Sequence, residues 1–215
     1  MMERVRPWLG NLATPFAKVL IKLKISPNHI TITGFVFSLL AGYFYMTHHY
    51  GWGGLFVILA GAMDGLDGAV ARMTKKASKK GAFLDSVVDR LGEVAIFAGI
   101  VVSFTNIWYQ YIGIIALSMN LLISYLRARG ESLGVDLRGI GIMERGDRML
   151  FVVAMSIVGY LWPSHETGFA FMLVLYLLLV VITVFQRFTK VYGVLEEEIT
   201  VMDPEKEELI LETET

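Results

Sequence analysis

Several stretches of this chain are apolar over close to the ~20 residues that a helix needs to cross a bilayer. No other feature narrows the choice of fold as far. With 55% of its 215 residues hydrophobic and 18% charged, the chain reads as an all-α integral membrane protein. Six spanning helices are expected, at 30–46, 52–73, 81–104, 108–129, 147–162 and 168–189. Ahead of them, residues 5–24 carry Trp8, Leu9, Leu12, Phe16, Val19, Leu20 and Leu23 near amphipathic spacing, with Lys18, Lys22 and Lys24 among them. An interfacial helix is expected there, with a solvent-facing helix as the plainer alternative. Ser26-Pro27-Asn28 breaks it. The chain then divides into a juxtamembrane helix at 1–26, a membrane domain at 27–190 and an acidic tail at 191–215, expected to be exposed and mobile from Glu196.

Charge placement sets the expected topology. Most Lys and Arg fall in the N-terminal segment, the 74–80 turn, the 130–146 loop and the tail, and nearly all the rest lie beside them. The turns near His48, Asn106 and Ser164 hold none. Six helices with both termini on the basic side satisfy this pattern, and the positive-inside rule makes that side cytoplasmic in a multi-pass cell-membrane protein. The net charge of -1 gives no reason to expect nucleic acid. There are no cysteines, so disulfides and thiolate ligands are excluded. His29, His48, His49 and His165 lack zinc-type spacing. The N-terminus has no compact apolar core before a cleavage site, so no signal peptide is expected.

Within this apolar chain lie four carboxylates, Asp64, Asp67, Asp85 and Asp89. Each is costly out of water. The first pair ends one spanning helix and the second begins the next, across the Lys75-Lys76-Ala77-Ser78-Lys79-Lys80 turn. Counted from that turn, the pairs lie roughly 12–16 Å and 8–14 Å along their helices, at similar depth. Spacing of i,i+3 or i,i+4 puts each pair on one face. Four converging carboxylates repel one another unless they hold cations, and hard oxygen ligands favour magnesium, manganese or calcium. Gly65 and Gly68 leave the backbone open beside them. Arg72, Ser78 and the lysines supply donors for a phosphate. Buried ion pairs with Arg72 or Arg90 are one competing reading, and an ion or proton pathway is another.

Asp64-x-x-Asp67-Gly68-x-x-Ala71-Arg72, followed by Gly81-x-x-x-Asp85-x-x-x-Asp89, resembles the full signature of the CDP-alcohol phosphotransferases, with no position departing from it. The resemblance implies six spanning helices, a homodimer and a divalent-metal-dependent transfer that releases CMP. It implies that Asp64, Asp67, Asp85 and Asp89 hold one or two Mg2+ or Mn2+ ions, and that Asp89 takes the acceptor's proton. Gly68, Arg72 and Ser78 would contact the CDP-lipid, joined by Asn28, His29, Ile30 and Thr31. A carboxylate beside the attacking hydroxyl suits this chemistry. No Ser–His or Cys–His pair points to a covalent intermediate, so direct attack is expected.

A second polar region bears on the acceptor. Arg127 and Arg129 close the fourth expected span, Arg145 and Arg148 open the fifth, and Arg187 ends the sixth. Their planar forks suit a phosphate, so the acceptor is expected to carry one already. Positive-inside topology and anionic lipid headgroups are the plainer explanation. The Arg-Ala-Arg-x-Glu, Glu-Arg-x-x-Arg and Gln186-Arg187 elements resemble the inositol-phosphate-using branch of the same family. Arg127 stands where that branch often has lysine, and Gly146-Asp147 where it more usually has Pro-Glu. The resemblance implies 1L-myo-inositol 1-phosphate as acceptor and CDP-archaeol or CDP-diacylglycerol as donor. Glycerol 3-phosphate as acceptor, CDP-inositol as donor, and an ion or lipid transporter are the alternatives. Trp52, Trp108 and Trp162 are expected to form an interfacial belt, and Gly34, Gly42, Gly92 and Gly99 to let helices pack closely.

Overall fold

A computed structural model describes residues 6–162 and 164–201, with side chains over 14–162 and 164–196. The described residues form seven helices and no strand. These are α1 (Arg6–Lys22), α2 (Pro27–Met46), α3 (Tyr50–Met73), α4 (Lys79–Ser103), α5 (Ile107–Ser132), α6 (Arg145–Leu161) and α7 (His165–Val201). A helix stands at each of the six expected positions, and each begins two or three residues early except α5, which starts one residue early. The capping residues explain this. Ser26 accepts the His29 N–H ahead of Pro27, and Ser78 accepts the Gly81 N–H at 3.1 Å. Asn106 accepts the Trp108 N–H at 2.9 Å, and the Asp147 carboxylate accepts the Glu144 N–H at 3.2 Å.

The acidic tail departs from expectation. α7 does not stop at 189 but continues through Glu196, Glu197 and Glu198 to Val201. The expected division at 190/191 therefore falls inside a helix. Leu and Glu are good helix formers, and no proline follows until position 204. Residues 202–215 of the expected tail lie outside the described residues, as do residues 1–5 and the side chains of Trp8, Leu9 and Leu12.

Among the described residues, four helices are long and apolar enough to cross a membrane: α2, α3, α5 and α7. The chain is thus a multi-pass membrane protein. α4 has the length, with 25 residues, but carries Lys79, Lys80, Asp85, Asp89, Arg90 and Glu93. α6 has 17 residues and carries three charges in its first turn or so.

α2 packs between α3 and α4, α3 against α6, and α7 against α5 and α6. Glycine permits the closest approach. A Cβ at Gly99 of α4 would run into the Gly42 backbone of α2, and one at Gly92 would lie 2.9 Å from Ser38 Oγ. The core gathers Tyr45, Ile96, Phe97, Ile100, Phe104, Met155, Phe169 and Tyr176. Its buried hydroxyls are matched: Tyr45 shares a 2.6 Å hydrogen bond with Ser156, and Tyr176 donates to Asn120 Oδ1 at 2.8 Å. A smaller cluster of Ala17, Ile30, Ala69 and Val70 seats α1 on α2 and α3, while Phe16, Val19 and Leu23 point outward.

Trp52, Trp108 and Trp162 are exposed at helix ends remote from the aspartates. At that end a cavity of about 560 Å³ is lined by His48, His49, Tyr50, Trp52, Tyr160 and His165, among others. These histidines bond to Tyr50, Thr47 and the Gly159 carbonyl respectively.

Candidate active site

The end of α3 and the start of α4 turn about Thr74–Ser78, bringing their acidic faces together. Single carboxylate oxygens of Asp64, Asp67 and Asp85 lie within 4.8 Å of one another. At an effective dielectric near 20, each such pair repels by at least about 3 kcal/mol. Asp85 Oδ1 is buried without a hydrogen-bond partner, and Thr31 of α2 donates to Asp67 Oδ2 at 2.6 Å.

Asp89 faces the same space but is held from the other side. Arg145, at the start of α6, reaches Asp89 Oδ1 through Nη2 at 2.6 Å and Asp64 Oδ1 through Nη1 at 2.8 Å. The ion-pair reading from sequence named Arg72 or Arg90 as partners. Among the described residues neither pairs with these aspartates. Arg90 donates to its own helix at Ser86 O. The guanidinium of Arg72 folds over Gly68, where a Cβ would sit 3.2 Å from Nη1. Arg145, the partner actually present, lies 56 positions beyond Asp89, and only the packing of α6 on α3 delivers it.

Five carboxylates meet here, the four aspartates and Glu93, against the two guanidiniums of Arg145 and Arg148 that contact them. Three negative charges remain. The all-oxygen donor set, the orphaned Asp85 oxygen and the open space at Gly65 fit a divalent cation.

The other expected residues sort as follows. The N-termini of α2 and α4 adjoin, so Asn28 Oδ1 and Ser78 Oγ flank Gly81. His29 is exposed and shares a 2.7 Å hydrogen bond with Ser26. Ile30 is buried in the small apolar cluster, and Thr31 serves Asp67. Of the arginines, Arg127 pairs with Glu131 at 2.9 Å in an exposed i,i+4 contact, and Arg129 is exposed. Arg148 is buried against Glu93 at 2.9 Å. Arg187 is buried too, and donates to the carbonyls of Ile140 at 3.0 Å and Ile123 at 2.9 Å. With Thr183 and Gln186, which accept the N–H groups of Met143 and Ile142, it straps the 140–143 segment to α7. In the same loop the Arg138 side chain and N–H hold the exposed Asp136 carboxyl down to about 2.

Glu93 is the residue the sequence reading missed. It is 3% exposed and lies one turn beyond Asp89 on the same face of α4. The i,i+4 series Asp85, Asp89, Glu93 was the available signal.

A membrane bundle in which an acidic cluster able to hold a cation lies beside arginines fits the enzymes of phosphate-transfer chemistry. The model of the CDP-alcohol phosphatidyltransferase family matches residues 24–194, and the chain belongs to that family. It is similar to the archaetidylinositol phosphate synthase of Pyrococcus horikoshii, at 36% identity over 73% of this chain and 82% of that protein. A phosphatidylinositol phosphate synthase of Mycobacteroides abscessus is 33% identical over 74% of this chain and 76% of its own length. The crystal structure of Mycobacterium tuberculosis phosphatidylinositol phosphate synthase with CDP-DAG bound superimposes with a TM-score of 0.76. It shares 28% identity, covering 85% of this chain and 94% of that one. The same enzyme in complex with manganese and citrate gives a TM-score of 0.75 at 28% identity, over 84% and 88%.

Proposed function

We propose that this chain is an inositol phosphate-using phospholipid synthase. It transfers the phosphatidyl-type group of CDP-archaeol or CDP-diacylglycerol to the hydroxyl of 1L-myo-inositol 1-phosphate and releases CMP. The observation that carries this reading is the meeting of the Asp64, Asp67 and Asp85 cluster with Arg145, which bridges Asp64 and Asp89, while Arg148 joins through Glu93. A cation-holding acidic face meets a phosphate-holding basic one.

Asp64, Asp67, Asp85 and Asp89 would hold Mg2+ or Mn2+. A bound cation there supplies positive charge to the pyrophosphate, which makes CMP a better leaving group. Asn28, Gly68, Arg72 and Ser78 contact the CDP portion, where Arg72 lies over Gly68 and Ser78 flanks Gly81. Asp89 accepts the proton of the attacking hydroxyl. Arg145 and Arg148 bind the acceptor phosphate, with Arg127, Arg129 and Arg187 around them.

α4 and α6 complete six spans, because their charges sit at the mouth or face one another inside the bundle. The outward apolar residues of α1 support an interfacial helix. Both termini and the mouth face the cytoplasm, and the protein works as a homodimer in the cell membrane.

The test supplies purified protein, Mg2+ and labelled CDP-lipid with a panel of acceptors and measures CMP release. Release with inositol phosphate is expected. Release with glycerol 3-phosphate alone would reassign the acceptor, and no release with any acceptor would remove the reading.

A further inference from the structure

We propose that Arg145 is an internal counter-cation displaced when the metal enters, and that Glu93 is the seat it moves to. This rests on the metal site proposed above. Two of the carboxylates assigned to the cation, Asp64 and Asp89, are taken by the Arg145 guanidinium, at 2.8 and 2.6 Å. One guanidinium and a dication cannot share them without repulsion. Something must give, and the structure holds an unused place nearby.

That place is the Glu93 carboxylate. Its Oε1 accepts from Arg148 Nη2 at 2.9 Å and lies 3.6 Å from Arg145 Nε, too far for a hydrogen bond. Its Oε2 is buried with no partner, and Arg145 Nε is also buried with no partner. An orphaned acceptor and an orphaned donor thus belong to neighbouring side chains. Each costs free energy while unmatched. They satisfy one another when Arg145 releases the two aspartates.

The sequence builds this arrangement on one helix face. Asp85, Asp89 and Glu93 repeat at i,i+4 on α4, so a carboxylate recurs about every 6 Å along the axis. Arg145 shifts along this row, from the rung the cation needs to the next one. Arg148 already occupies Glu93, so the shift gathers both guanidiniums on one carboxylate, with Arg145 seated through Nε and its Nη groups left for the acceptor phosphate. Glu93 is therefore a positioning residue, acting through Arg145 and Arg148.

The test measures Mn2+ binding to the full-length protein in detergent, by electron paramagnetic resonance of the free ion. Arg145→Gln removes the competitor and should bind Mn2+ on the order of tenfold more tightly than wild type. Glu93→Gln removes the seat and should bind on the order of tenfold more weakly. The double variant should match Arg145→Gln, because no guanidinium remains to be seated. Unchanged or weaker binding in Arg145→Gln would overturn the proposal. So would a Glu93→Gln deficit that persists in the double variant, since that marks general damage to the fold. If Glu93→Gln does not fold, the Arg145→Gln comparison decides alone. A wild-type protein that binds no Mn2+ defeats the site reading itself, a different failure from binding that Arg145→Gln leaves unimproved.

Discussion

Replacing Thr31 by valine removes one hydrogen bond and almost no volume, which makes it a clean probe of the cation site. The hydroxyl has one proton and two oxygens in reach. Asp67 Oδ2 at 2.6 Å is far nearer than Pro27 O at 3.2 Å, so Asp67 receives it. A hydrogen bond to a charged group contributes about 1.5–3 kcal/mol. At about 1.4 kcal/mol per factor of ten, that is roughly 10- to 100-fold. Loss of a partner that orients a metal ligand costs about 10–100-fold in metal affinity by independent measure. The two routes agree. Thr31→Val should therefore raise the Mn2+ dissociation constant, and the Mg2+ concentration for half-maximal CMP release, by about 10–100-fold. Thr31→Ser keeps the donor and should remain near wild type. A Thr31→Val protein with unaltered metal dependence and a raised KM for CDP-lipid would refute the reasoning. It would make Thr31 a substrate contact instead.

Removing metal with EDTA should abolish CMP release, and Mg2+ or Mn2+ should restore it; full turnover in metal-free buffer would contradict the mechanism. Asp89→Asn should collapse turnover while binding of CDP-lipid, followed by fluorescence anisotropy of a labelled analogue, largely survives. Gly99→Ala forces a Cβ into the Gly42 backbone and should destabilise by about 1–3 kcal/mol in a thermal-shift assay. Gly61→Ala, with open space around it, should leave the melting temperature unchanged or slightly raised. Arg138→Ala breaks an exposed pair, so the melting temperature should stay close to that of the wild type.

The aspartates were legible because their signal is local. Spacing alone puts Asp64 with Asp67 and Asp85 with Asp89, and the short turn brings the pairs together. Helix starts could have been placed more closely from Ser26-Pro27, Ser78, Asn106 and Glu144, whose capping chemistry is written in the chain. Arg145 was seen as a phosphate ligand but not as the partner of Asp64 and Asp89. That contact depends on how α6 docks, which no local pattern encodes. Glu93 was missed for a related reason. The i,i+4 series places it on the face of Asp85 and Asp89, but its partner Arg148 comes only with the docking of α6. Among the residues expected to touch the CDP-lipid, Ile30 lies in packing and Thr31 on Asp67. Four consecutive positions of a helix point in four directions, so one short motif spans several surroundings.

α7 has 37 residues, roughly 55 Å of helix, against a hydrocarbon layer of about 30 Å. Arg187, which fastens the 140–143 segment, lies fourteen residues before Val201, or roughly 21 Å of axis. On the proposed topology the helix therefore extends past the acidic mouth into water. A reporter domain joined in helical register at Val201 would be carried clear of the proposed substrate entrance. The bundle thus offers a handle for imaging a protein of only 215 residues.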